Sequence, residues 1–182
     1  MKKITKRTLA AISVAMIATA LLTPSAQAAD KGYRYWGYFQ SAPGQTSWTM
    51  AQTGPTTIVA DGSVEGWAFT FSSDSVPDAA TPRVAPNFSR ICGTTKIPAA
   101  GKKRVGIVVD FGSIFLKPKG ETLPRSFSKC LVLDKKAIGS DVVYAVAKIR
   151  ASSSGFICGL NGYPSNECGV EVNTPSALTK KN

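Results

Sequence analysis

The sequence predicts an α+β fold: mainly β-sheet, in a single domain, with two short helices and two disulfides. Three observations predict it. Segments rich in aromatic and β-branched residues, bounded by Gly, Pro, Asn or Asp, recur along the chain. Helix signals are confined to two short stretches, one after Pro86 and one at Ser140. The four cysteines, Cys92, Cys130, Cys158 and Cys168, form an even set that two bridges would consume.

The chain opens with Lys2, Lys3, Lys6 and Arg7, followed by an uncharged, apolar-rich run at residues 9–22 and the small-residue site Ala26-Gln27-Ala28. That order is the layout of a secretory signal peptide, with removal expected after Ala28. A run of 14 residues falls short of the ~20 that a membrane-spanning helix requires, so no transmembrane anchor is expected. No lipobox cysteine or L-P-x-T-G sorting signal is present, so release or loose wall association is expected. The expected divisions are a signal peptide at 1–28, a single secreted globular domain at 29–172 and a polar C-terminal tail at 173–182. Removing 28 of 182 residues leaves 154, enough for one domain that buries roughly 70% of its unfolded surface.

Within the domain, Tyr33-Arg34-Tyr35-Trp36-Gly37-Tyr38-Phe39 reads as a strand, and a turn around Gly44 returns it to Trp48-Thr49-Met50 as a hairpin. Asp61-Gly62 marks the next turn. Residues 64–71 then form a strand with Trp67, Phe69 and Phe71 on one face. Pro77, Pro82 and Pro86 argue for an irregular connection, and Pro86 suits the first turn of a short helix that carries Phe88, Ile91 and Cys92 and stops at Gly93. The apolar run at residues 104–111 predicts a central strand covered on both sides. Ser140 is expected to cap a second helix, with Val142, Ala145, Val146 and Ile149 at helical spacing. A last strand is expected at residues 155–160, followed by the small cysteine loop and Val170-Glu171-Val172.

The formal charge is +11, and without the leader it becomes +7, because four of the 22 basic residues and none of the 11 acidic ones lie there. Residues 96–150 hold 12 basic and four acidic residues, whereas residues 29–95 hold four and five. Outside the cell, such a basic middle third suits an anionic cell-wall polymer or anionic lipid headgroups, and nucleic acid is not an expected partner. The lysines are scattered in pairs, with Lys102-Lys103-Arg104 the one triplet, which also fits a solvated surface.

Four cysteines allow three connectivities. The favoured one joins Cys158 to Cys168, which are close in sequence and separated by turn formers, and leaves Cys92 for Cys130. No C-x-x-C pair is present, so redox and zinc chemistry have little support.

The chain contains no histidine. Ser-His-Asp and Cys-His catalysis, H-E-x-x-H zinc hydrolysis and histidine-held iron or copper are therefore excluded. Carboxylate chemistry survives, with Glu65, Asp110, Glu121 and Asp134 as candidates for a paired-carboxylate hydrolase. Asp110 ends an apolar strand, a position that serves either a site or a backbone-bonding strand terminator. No cofactor is expected, and no catalytic or metal-ligating residue is assigned.

Seven aromatic residues fall between Tyr33 and Trp67. Tyr35, Trp36, Tyr38 and Trp48 are the ligand-binding candidates, because aromatic rings offer large contact area at low entropy cost. Alternation sends Trp36 and Tyr38 to one side of the strand and Tyr35 and Phe39 to the other, so part of the set must be core. Trp67, between apolar strand neighbours, is expected in the core, and Trp36 is expected to be less buried.

Several stretches together resemble a family of small secreted actinobacterial proteins of unassigned function. They are Tyr33-Arg34-Tyr35-Trp36, Trp48 with Gly54-Pro55, residues 104–112, Gly120-Glu121, Ser154-Gly155-Phe156-Ile157-Cys158, Gly162-Tyr163-Pro164 and Cys168-Gly169. Genes of that family often neighbour energy-coupling-factor type uptake systems. The resemblance implies four paired cysteines and an accessory extracellular role, and supplies no catalytic residue. The expected function is thus a non-enzymatic extracellular binding or accessory protein that takes a small-molecule ligand and assists small-nutrient uptake. The alternatives are a wall-associated structural protein that binds anionic polymers through its basic segment and a carboxylate-dependent hydrolase.

Overall fold

A computed structural model describes residues 30–96 and 98–179. The leader expected at 1–28 and its processing site lie outside the described residues, as do Lys180 and Lys181 of the tail. In chain order the elements are β1 (Lys31–Ser41), β2 (Thr49–Met50), β3 (Val64–Ser73), α1 (Phe88–Cys92), β4 (Lys102–Asp110), a 3-10 turn (Ile114–Leu116), β5 (Phe127–Asp134), α2 (Gly139–Tyr144), β6 (Ile149–Ala151), β7 (Ile157–Leu160), β8 (Val170–Asn173) and α3 (Ser176–Thr179). The fold is mainly β-sheet with three short α-helices in a single domain.

Six strands form one sheet in the order β2-β1-β3-β4-β5, with β8 pairing the other end of the β1 edge. β3 and β4 run parallel, joined by the connection that contains α1, and every other pairing in this sheet is antiparallel. β6 and β7 make a separate antiparallel pair.

The pleat divides the core. One face carries Trp36 and Tyr38 of β1, Trp67, Phe69 and Phe71 of β3 and Val105, Ile107 and Val109 of β4. These pack with Val142 and Val143 of α2, Leu160 of β7 and Tyr163 in one buried cluster. The opposite face carries glycines where covering groups come close. A Cβ at Gly66 would lie 2.7 Å from the Trp48 ring, and one at Gly106 would lie 3.4 Å from Ile91 of α1. The two faces are thus covered by different parts of the chain, and β3 is buried along its first eight residues.

Both disulfides are formed, Cys92 with Cys130 and Cys158 with Cys168, and no cysteine is free among the described residues. The first ties α1 across β4 to β5.

Several expectations are corrected. β4 is an interior strand as expected, buried from Val105 to Asp110 and paired with β3 on one side, but its other neighbour is β5, a strand the sequence reading missed. Asn87 is the N-cap of α1, its side chain accepting from Arg90 N at 2.9 Å, so Pro86 precedes the helix instead of starting it. α2 begins one residue before Ser140 and ends at Tyr144, and Ile149 belongs to β6. Among the described residues there are three short α-helices instead of two, because Ser176–Thr179 of the expected polar tail forms α3, whose Leu178 packs against the core.

Candidate functional site: an aromatic cleft

The β1–β3 register sets Trp36 beside Phe69 and Tyr38 beside Trp67. Tyr38 and Trp67 stack with ring centroids 4.9 Å apart and planes 23° from parallel. Trp36 meets the ring of Phe111 edge-on at 5.4 Å, and its Nε1 donates to the Tyr163 carbonyl at 3.1 Å. Trp36 and Trp67 are both 3% exposed, so the expected difference between them is absent. Trp36 contributes the edge of a cleft instead of an open stacking platform.

The other wall is the hairpin loop between β6 and β7 together with Gly54-Pro55. Ser152 N donates to Phe156 O at 2.9 Å, Gly155 N to Ser152 O at 3.0 Å and Phe156 N to Ser152 Oγ at 3.1 Å. Gly155 turns the loop at φ +83°, a conformation that favours glycine. This tight loop leaves Phe156 44% exposed. Between the walls lies a cleft of about 440 Å³ lined by Trp36, Tyr38, Trp67, Pro55, Phe156 and Ile157, with Gly54, Ser154 and Gly155 completing it. No charged residue lines it, and its volume suits a small molecule.

Tyr38 is held firmly. Its hydroxyl donates to Glu65 Oε2 and accepts from Gln40 Nε2 at 2.9 Å. A Cβ at Gly139 would lie 2.4 Å from that hydroxyl, so the start of α2 rests directly on it. Glu65 is 1% exposed and also accepts from Ser63 Oγ at 3.3 Å. Burial raises the Glu65 carboxyl above its ordinary range, against the opposing hydrogen bonds of Tyr38, Gln40 and Ser63 and the charge of Lys103. Burial, followed by the Glu65 charge, likewise raises the Tyr38 hydroxyl. Lys103 is buried too, and its Nζ donates to the carbonyls of Val59, Lys135 and Ala137 at 2.5, 2.9 and 2.9 Å. Burial lowers its ammonium.

Of the four candidates, the structure brings Trp36 and Tyr38 together in the cleft and sends Tyr35 and Trp48 elsewhere. The Tyr35 hydroxyl meets Ser72 Oγ at 3.3 Å, and Trp48 seats over Gly66 with Nε1 donating to Val84 O at 3.0 Å. The sequence reading missed Phe156 and the loop that carries it. The only available signal was an aromatic residue directly after Ser-Ser-Ser-Gly, a spacing that a tight turn leaves outside the core.

The four carboxylates lie outside the cleft lining. Asp110 accepts from the Arg83 side chain and amide, from Gly112 N at 3.0 Å and from Ser126 Oγ at 2.9 Å. Glu121 accepts from Ser165, and Asp134 pairs with Lys102 at 2.9 Å. A cavity of about 150 Å³ lies at the carboxyl ends of β3 and β4 beside Arg83 and Asp110. It is smaller than the aromatic cleft, and of the two carboxylates that line it, Asp78 and Asp110, Asp110 is already committed to protein donors. Among the described residues, no group of three His, Cys, Asp or Glu is placed to hold a metal ion.

The fold and cleft define a disulfide-linked, mainly β domain with an uncharged aromatic pocket at one sheet face. The chain belongs to the SCO2322-like domain family, whose profile matches residues 28–173. That span includes both disulfides and every residue that lines the cleft. No curated protein and no solved structure matches the chain.

Proposed function

We propose that the protein is an extracellular, non-enzymatic binding protein that takes a small uncharged ligand with a flat apolar face, in an accessory role to nutrient uptake. The observation that carries this reading is the cleft: aromatic side chains converge on about 440 Å³ in which no lining group is charged, although the chain as a whole is strongly basic. Two formed disulfides support an oxidising compartment. Among the described residues, no helix is long and apolar enough to cross a membrane. The Trp67 indole N–H has no hydrogen-bond partner among the described residues, whereas those of Trp36 and Trp48 are both satisfied. A ligand acceptor that reached this N–H would complete it.

The test is a thermal-shift screen against vitamins, neutral glycans and metal ions, followed by titration calorimetry of any hit. Phe156→Ala should weaken binding of the hit at least about tenfold with little change in melting temperature, because the ring packs lightly. Trp36→Ala should instead cost about 3–5 kcal/mol of stability. Failure of every uncharged ligand to shift the transition, or full affinity in Phe156→Ala, refutes the assignment.

A further inference from the structure

Independently of the cleft, Ile114 and Phe115 stand side by side on the 3-10 turn, 58% and 62% exposed. The turn beneath them is fixed. Leu116 is buried in the core cluster, its amide donates to Ser113 O at 3.1 Å, and its carbonyl accepts from Arg34 Nη1 at 3.3 Å. Gly112 brings the chain so close to β3 that a Cβ there would lie 2.3 Å from Phe69 O. A turn this well held presents two large apolar side chains to water without using them in the core.

Two basic residues lie close to the turn along the chain or across it. Lys119 follows within four residues of Phe115 and is exposed. Ser126 Oγ bonds Phe111 N at 3.0 Å and lies 3.4 Å from Arg83 Nη2, which brings the exposed Arg125 to the base of the same turn. Among the described residues, Lys119 and Arg125 make no ion pair. Of the neighbouring acids, Asp110 is paired with Arg83 and Glu121 accepts from Ser165, while Asp78 lines the cavity behind the turn with Ser113 and Leu116.

We infer that this turn docks the protein onto an anionic lipid surface, with Ile114 and Phe115 entering the boundary between headgroups and acyl chains and Lys119 and Arg125 facing the headgroup charge. An apolar tip accompanied by exposed basic residues matches both layers of such a surface. An anionic polymer without lipid would use the basic residues and leave the tip in water.

The experiment places a reporter at the tip. Phe115→Trp is compared with the parent chain, so that the native tryptophans cancel, on vesicles of brominated phosphatidylcholine with and without phosphatidylglycerol. The added emission should shift to the blue and be quenched by the brominated chains when phosphatidylglycerol is present. In the same background, Lys119→Glu with Arg125→Glu should lower vesicle affinity at least about thirtyfold, since each basic residue near such a surface contributes about 1 kcal/mol. Because the reporter reads position 115 itself, an apolar segment elsewhere in the chain does not produce the signal. All these substitutions are at exposed positions, and unchanged melting temperatures check the fold. The proposal is overturned if the position-115 emission stays as in buffer on phosphatidylglycerol vesicles. It is equally overturned if soluble poly(glycerol phosphate) alone produces the same blue shift.

Discussion

Burial alone would push the Asp110 carboxyl above the ordinary carboxylate range, yet the hydrogen bonds from Arg83, Gly112 and Ser126 outweigh it and hold the group down at about 2. Its value in the unfolded chain is near 3.8. A depressed carboxyl stabilises the fold above the unfolded value, and that contribution is lost as pH falls from about 4 through about 2. At neutral pH it amounts to about 2 kcal/mol. Asp110→Asn should remove it and flatten the acid limb of stability between pH 4 and 2, as read by denaturant melts over a pH series; an unchanged limb would refute this account. Glu65 acts in the opposite sense. Burial raises its carboxyl, so its contribution declines as pH rises from the unfolded value through the raised one. Tyr38 was legible as a site residue because alternation fixes which side of a strand a ring takes, and the same alternation sends Tyr35 away from it. What alternation does not encode is cover. Trp36 is buried because Tyr163 and Phe111, more than 70 residues away in sequence, close over it, and Phe156 joins the cleft only through the pairing of β6 with β7.

Elements that carry their own periodicity were legible, and elements defined by a partner were not. β1, β3 and β4 announce themselves through aromatic or β-branched runs. β5 mixes Ser128 and Lys129 with Cys130 and Leu131, because an edge strand is covered less completely and its pattern is correspondingly weak. The reading of Ile149 as part of α2 shows the same limit: four apolar residues at helical spacing did not hold a helix past Tyr144, because the chain turns at residues 145–147 into β6. The disulfides act at this scale. Cys92–Cys130 closes a separation of 38 residues and joins α1 to an edge strand, whereas Cys158–Cys168 closes only 10. Chain entropy assigns these loops about 4 and about 3 kcal/mol. The smaller loop has a second clamp, since Arg150 Nη2 donates to the carbonyls of Cys158, Pro164 and Glu167 at 3.3, 2.9 and 2.6 Å. Replacing Cys92 and Cys130 with alanine should therefore destabilise the protein more than replacing Cys158 and Cys168, by at least about 1 kcal/mol in urea denaturation. The reverse order would show that the Arg150 clamp does not compensate.

Across the whole molecule, one sheet supplies both core faces, and its central strand belongs to each. Trp36 and Trp67 report on the face covered by α2 and the β6–β7 pair, whereas Trp48 reports on the face that carries α1. Separating one covering layer from the sheet would expose the buried row of β3 on that side, and Cys92–Cys130 further ties α1 to β5 on the other. The two layers should therefore unfold together, as expected for a single domain of this size. Trp48→Phe leaves fluorescence that reads only the first face, and the difference from the parent chain reads the second. Both should give the same urea midpoint and the same slope, and both should coincide with loss of strand signal in circular dichroism. A Trp48 transition at distinctly lower urea would instead show that the connection around α1 opens before the sheet, leaving the aromatic cleft on a face that stays folded.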